Sequence, residues 1–115
     1  MKIRGGKLLA RALQEKGIEQ VFTLSGGFCN PALEGMDECG MSVINTPHEQ
    51  VAGHLADGFT RVGRKPAVCL VGPEGFANAI PSMRHKRRLG GFLYYRRIQT
   101  RPNIAQRAIF LIVFD

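Results

Sequence analysis

Apolar positions Leu8, Leu9, Ala12 and Leu13 recur at the spacing of one helix face, and Gly17 follows where a helix closes on a left-handed glycine. Residues 20–24 (QVFTL) form a short β-rich run that gives way to a turn at Ser25-Gly26-Gly27. Asn30-Pro31 reads as an N-cap followed by proline at the first helical position, opening a helix to about Met36. Residues 41–45 (MSVIN) predict a second strand, residues 46–62 a long helix, and residues 67–71 (AVCLV) a third strand. GPEG at residues 72–75 then turns into a further helix that carries Asn78 and Ile80.

Strands alternating with helices in this way predict an α/β fold, a partial doubly wound parallel sheet with flanking helices. Such sheets bind ligands at the carboxyl ends of their strands. Residues 25–28, 46–49 and 72–75 all fall at that edge, so three loops converge on one candidate site. After Met83 the periodicity stops. Only residues 108–114 (AIFLIVF) read as a strand there, and that run ends with the chain. The expected organisation is therefore a partial domain over residues 1–83 and an atypical tail over residues 84–115.

Charge marks the same boundary. Residues 1–83 hold eight Lys/Arg and eight Asp/Glu, whereas residues 84–107 hold eight Lys/Arg and no acid. Phe92, Tyr94 and Tyr95 interleave with those arginines. The alternative reading is thus a non-enzymatic fragment or a basic-tail module that stacks on single-stranded nucleic acid. The tail matches no known nucleic-acid fold, which weighs against it. At 115 residues and 44% hydrophobic content the chain is one globular domain or part of one. No apolar run reaches the length of a membrane helix. The N-terminal stretch has no signal-peptide core, and a cytoplasmic location is expected. Cys29, Cys39 and Cys69 are odd in number and widely spaced, which fits reduced thiols better than a disulfide framework.

Thr46-Pro47-His48-Glu49 satisfies the capping-box pattern, with threonine as N-cap and glutamate reaching back to its amide. On these residues alone the structural reading of Glu49 leads, and an acid–base role stays open beside it. His48 and His54 are six apart and do not share a helix face, which argues against a metal pair. Ala52, Gly53 and Ala56 make a small-residue face suited to close helix packing.

Three stretches change the picture: GGKLLARALQEKGIEQVFTLSGG, HEQVAGHLADGFTRVGRKPAVCLV and GFANAIPSM. From about Ile3 to Met83 the chain resembles the N-terminal, pyrimidine-binding domain of thiamine-diphosphate enzymes, in particular the acetolactate synthase group of decarboxylases and carboligases. The His-Glu-Gln followed by Ala-Asp-Gly-aromatic-x-Arg carries most of the specificity.

The resemblance implies a catalytic role for Glu49, which would hydrogen-bond the aminopyrimidine ring of thiamine diphosphate and favour the tautomer that activates the thiazolium. It implies cofactor contacts from Gly26, Gly27, Gly75 and Asn78, and a substrate cleft lined by Ser25, His48 and Phe92. The substrate implied is a 2-keto acid. Some relatives also bind FAD. In this family Mg²⁺ and the diphosphate are held by a separate domain with a Gly-Asp-Gly motif, and this sequence has none. The implied partner is a homo- or hetero-oligomer with a chain carrying that domain, with the small-residue helix face at a subunit contact, and the chain alone is not expected to turn over. Two departures stand out. Pro73-Glu74 precede Gly75 where the family has Gly-Pro-Gly, and Pro47 stands where many relatives have arginine.

Overall fold

The computed structural model describes residues 3–27, 29–83, 93–97 and 108–114. Its elements are α1 (Gly5–Glu15), β1 (Gln20–Thr23), α2 (Asn30–Glu38), β2 (Ser42–Asn45), α3 (Glu49–Gly63), β3 (Ala67–Val71), α4 (Phe76–Ala79), β4 (Leu93–Arg97) and β5 (Ala108–Phe114). The five strands form one sheet in the order β2-β1-β3-β5-β4. β1 pairs in parallel with β2 on one side and β3 on the other, which is the expected α/β arrangement.

Side-chain alternation along the strands sorts the helices onto two faces. Val21, Val68 and Leu70 share one buried cluster with Ala10 and Leu13 of α1 and Ala32 and Met36 of α2. Phe22, Cys69 and Val71 belong to a second cluster with Ala52 and Ala56 of α3 and Ala79 of α4. β3 is buried at every residue, as a central strand covered on both faces must be. β2 lies at the sheet edge and is exposed or half-buried throughout. This difference explains why AVCLV is an unbroken apolar run and SVIN is not.

Residues 108–114 form the expected strand and pair antiparallel with β3, from Ala67↔Phe114 to Val71↔Phe110. Ile112 and Phe114 are buried in the second cluster. Each such burial is worth roughly 1.5–3 kcal/mol relative to exposure. β4 is an element the apolar pattern did not predict. Its sequence, LYYRR, carries no clean alternation, and its register is set by the antiparallel ladder to β5. A parallel neighbour would need a crossover of a dozen or more residues, usually helical. The sequence between β4 and β5 has no helical period, and the two strands run antiparallel.

Local boundaries follow hydrogen bonding. α1 ends in a Schellman closure: Gly17 (φ +75°) donates to the Gln14 carbonyl at 2.9 Å and Ile18 to the Leu13 carbonyl at 3.0 Å. α2 starts one residue earlier than the proline pattern suggests. Cys29 is its N-cap, and Asn30 and Pro31 are its first helical residues. The small-residue face of α3 serves the close packing its composition suggests, here inside the chain. Ala52 and Ala56 pack in the second core cluster. A β-carbon on Gly53 would sit 2.5 Å from Ser82 Cβ, and Ser82 itself is buried and donates to the Ala79 carbonyl at 2.6 Å. Among the described residues, no helix is long and apolar enough to cross a membrane.

Candidate functional site

The carboxyl ends of β1, β2 and β3 are tied together by a short chain of hydrogen bonds. Thr23 Oγ1 donates to the Leu70 carbonyl at 2.7 Å, joining β1 to β3. The Thr46 amide donates to the Thr23 carbonyl at 2.7 Å, carrying the β1–β2 ladder one residue past Asn45. The Ser25 amide donates to Asn45 Oδ1 at 3.0 Å, which fixes the glycine loop against the end of β2.

These bonds overturn the capping-box reading. The Thr46 amide is already committed to Thr23, and Thr46 Oγ1 lies 3.2 Å from the Thr23 carbonyl and 2.9 Å from that of His48. The helix begins at Glu49, and its N-cap is His48, in extended conformation (φ −156°, ψ 147°). His48 Nδ1 accepts the Gln50 amide at 3.0 Å. An accepting Nδ1 puts the proton of a neutral imidazole on Nε2, which lies 4.0 Å from Glu49 Oε2.

Glu49 is thereby released from capping. Its side chain is 13% exposed, while that of His48 is 50% exposed. From α4, Asn78 Nδ2 donates to Glu49 Oε2 at 3.3 Å. The carboxylate lies against the bare backbone of Gly75, where a β-carbon would come within 2.6 Å of Glu49 Cγ and 2.8 Å of Cδ. The first turn of a helix also favours a carboxylate electrostatically. Glu49, Asn78, Gly75 and His48 therefore form one group. Ser25 and Gly26 stand apart from it, on the loop after β1. Gly27 is exposed, and a β-carbon there would meet nothing within 4 Å. Phe92 lies outside the described residues.

Glu74 is a residue that sequence reasoning treated only as a departure from a motif. Its carboxylate turns back along the loop, with Oε1 2.8 Å from a β-carbon position on Gly72 and 3.7 Å from one on Gly26. The loops after β1 and β3 thus meet at Glu74. Asn45 was missed as well, although its place as the last residue of an edge strand marked it as available to a neighbouring loop. Beneath this crevice lies Cys29, fully buried. Burial, reinforced by the Glu74 charge, pushes its thiol from 9.0 up to about 11, against the opposing effect of the Gly26 backbone. A thiol raised in the folded state adds stability that is whole below pH 9 and is lost as pH rises from 9 through about 11. Denaturation midpoints should therefore fall more steeply over that range in the wild type than in Cys29→Ala. At pH 8, iodoacetamide should label the partly exposed Cys39 and spare Cys29 until the chain unfolds. Among the described residues, no group of three or more His, Cys, Asp or Glu side chains could hold a metal ion.

Residues 3–88 match the family described as thiamine pyrophosphate enzyme, N-terminal TPP binding domain. The chain is 40% identical over 82 residues to a probable acetolactate synthase of Mycobacterium bovis, covering 70% of this chain and 15% of that protein. It is 32% identical over 105 residues to a probable 2-ketoarginine decarboxylase of Pseudomonas aeruginosa, covering 76% of this chain and 19% of the relative. Over 83 residues it is 32% identical to human 2-hydroxyacyl-CoA lyase 2, covering 70% and 13%. The chain thus spans less than a fifth of the length of these relatives. With three-quarters of its residues matched, it belongs to the thiamine pyrophosphate enzyme family and corresponds to its N-terminal TPP-binding domain.

Proposed function

We propose that this chain supplies the aminopyrimidine half of a thiamine-diphosphate site in an acetolactate-synthase-like decarboxylase or carboligase acting on a 2-keto acid. The observation that carries this reading is the Glu49 carboxylate: largely buried, freed from helix capping, held by Asn78 and seated on a glycine that leaves room for nothing larger. Bound thiamine diphosphate brings the carbon–carbon chemistry. Glu49 holds and shares a proton with a ring nitrogen of the aminopyrimidine, a task suited to a carboxyl shielded from water. Asn78 orients that carboxyl, and Gly75 gives the flat ring access to it. The diphosphate, and the Mg²⁺ that accompanies it in this family, require ligands beyond the described residues, which offer no metal cluster. A second domain or chain completes the site. An outward stripe on α3, Val51, Leu55 and Val62, remains exposed, as does Ile44 on the edge strand, and these apolar side chains favour oligomer contacts.

The test is an amide-shift titration of the full chain with thiamine diphosphate. Shifts should concentrate at residues 48–50 and 72–78 and leave the opposite sheet end, around Gly17, Ser42 and Lys65, unmoved. Gly75→Ala should weaken the response at least about tenfold, because its methyl group and the Glu49 carboxyl cannot share one space. Shifts spread over both sheet ends, or an unchanged response in Gly75→Ala, would overturn the reading.

A further inference from the structure

We propose that Glu74 sets the substrate class of this site, its carboxylate receiving a cationic group, a guanidinium or an ammonium, carried on the substrate. The inference rests on the cofactor reading given above. It starts from topology. β1 and β3 are adjacent and parallel, yet the segments that leave them go to opposite faces: α2 packs in the first core cluster and α4 in the second. Adjacent strands whose connections diverge leave a crevice at their carboxyl ends, and open α/β sheets bind ligands there. Glu74 stands in that crevice. Its Oε1 lies 2.8 Å from a β-carbon position on Gly72 on one side and 3.7 Å from one on Gly26 on the other.

Glu49 faces a different way, toward Gly75 and Asn78. The two carboxylates therefore divide the site into a cofactor position and a second position opening on the Ser25-Gly26-Gly27 loop. Charge gives the second position its preference. The loops at residues 25–27, 45–48 and 72–75 contain no Lys or Arg. Glu74 meets no ion-pair partner within 4.0 Å among the described residues. A neutral thiol, Cys29, lies beneath it and supplies no counter-charge. An accessible carboxylate between two glycine walls can form charge-assisted hydrogen bonds to a planar guanidinium and repels a second anionic group.

Two probes of equal length and shape separate charge from fit: 4-guanidinobutanoate and 4-ureidobutanoate, which keeps the carboxylate and replaces the guanidinium by an uncharged urea. Each is titrated into the full chain and followed at the Gly26 and Gly72 amides. The guanidino acid should bind about tenfold more tightly than the ureido acid, in keeping with the loss of one charge-assisted hydrogen bond. Glu74→Gln should erase that difference. Equal affinity of the two probes, or no response of Gly26 and Gly72 to the guanidino acid, overturns the proposal. Thiamine diphosphate, titrated into wild type and Glu74→Gln, keeps the two readings apart. Its response at Gly75 should survive in the variant. A lost Gly75 response in the wild type defeats the cofactor reading, whereas a retained one with indifferent probes defeats only the role of Glu74.

Discussion

Gly35→Ala is expected to destabilise the chain by about 3 kcal/mol, at the upper end of what overpacking a well-fitted interior costs. Gly35 is buried on α2, and a β-carbon there would fall within the Gly6 carbonyl group and the Lys7 amide of α1. The contact is reciprocal: a β-carbon on Gly6 would collide with the Pro31 carbonyl and come within 3.2 Å of Ala32 Cα. A flexible side chain could rotate away from an added methyl, but here both walls are backbone. The helices must separate, which opens the cluster where Leu13 and Met36 pack on Val21 and Leu70. Ion pairs at the rim cannot hold them together. Arg4 and Lys7 both reach Glu38, the latter at 3.4 Å, but these groups are solvated and worth about 0–1 kcal/mol each. Gly58→Ala makes the matched control, since a β-carbon there meets nothing within 4 Å in the middle of α3. It should stabilise by about 0.5–1 kcal/mol through helix propensity alone. Urea unfolding of the two variants gives opposite signs if the α1–α2 crossing is as close as described. Equal, small changes would contradict it.

Much of the fold was legible because local and tertiary demands agreed. AVCLV reads as a strand covered on both faces, which β3 is, and Gly17 closes α1 as its position suggested. Where they disagreed, tertiary bonding prevailed. The TPHE pattern meets every rule for a helix start at Thr46, yet the sheet claims the Thr46 amide for Thr23, and the start moves to Glu49. β4 was hidden for a related reason: its ladder uses backbone groups, while its side chains read as part of a basic segment.

The site divides in the same way. Glu49, Gly75 and Asn78 lie in recognisable stretches, and the fold brings them together through one hydrogen bond and one close approach. Asn45 and Glu74 gain meaning only once the loops after β1, β2 and β3 are adjacent, which no sequence spacing expresses. The resemblance placed Glu49 in a cofactor site before its surroundings were known, and the transfer of capping to His48 removes the competing use of that side chain.

The role of Glu49 carries the second large effect. Glutamine keeps the shape of the side chain and an oxygen for Asn78, but it cannot hold a shared proton. The loss of one charge-assisted hydrogen bond in a shielded place corresponds to about a tenfold to hundredfold fall in affinity. Thermal unfolding should change little, since Glu49 neither caps α3 nor joins either core cluster. The deciding measurement is the affinity of the full chain for thiamine diphosphate in wild type and Glu49→Gln, read at the Gly75 and Asn78 amides. A fall of at least tenfold with an unchanged melting temperature is the predicted result; equal affinity in the two proteins would contradict a pyrimidine contact at Glu49.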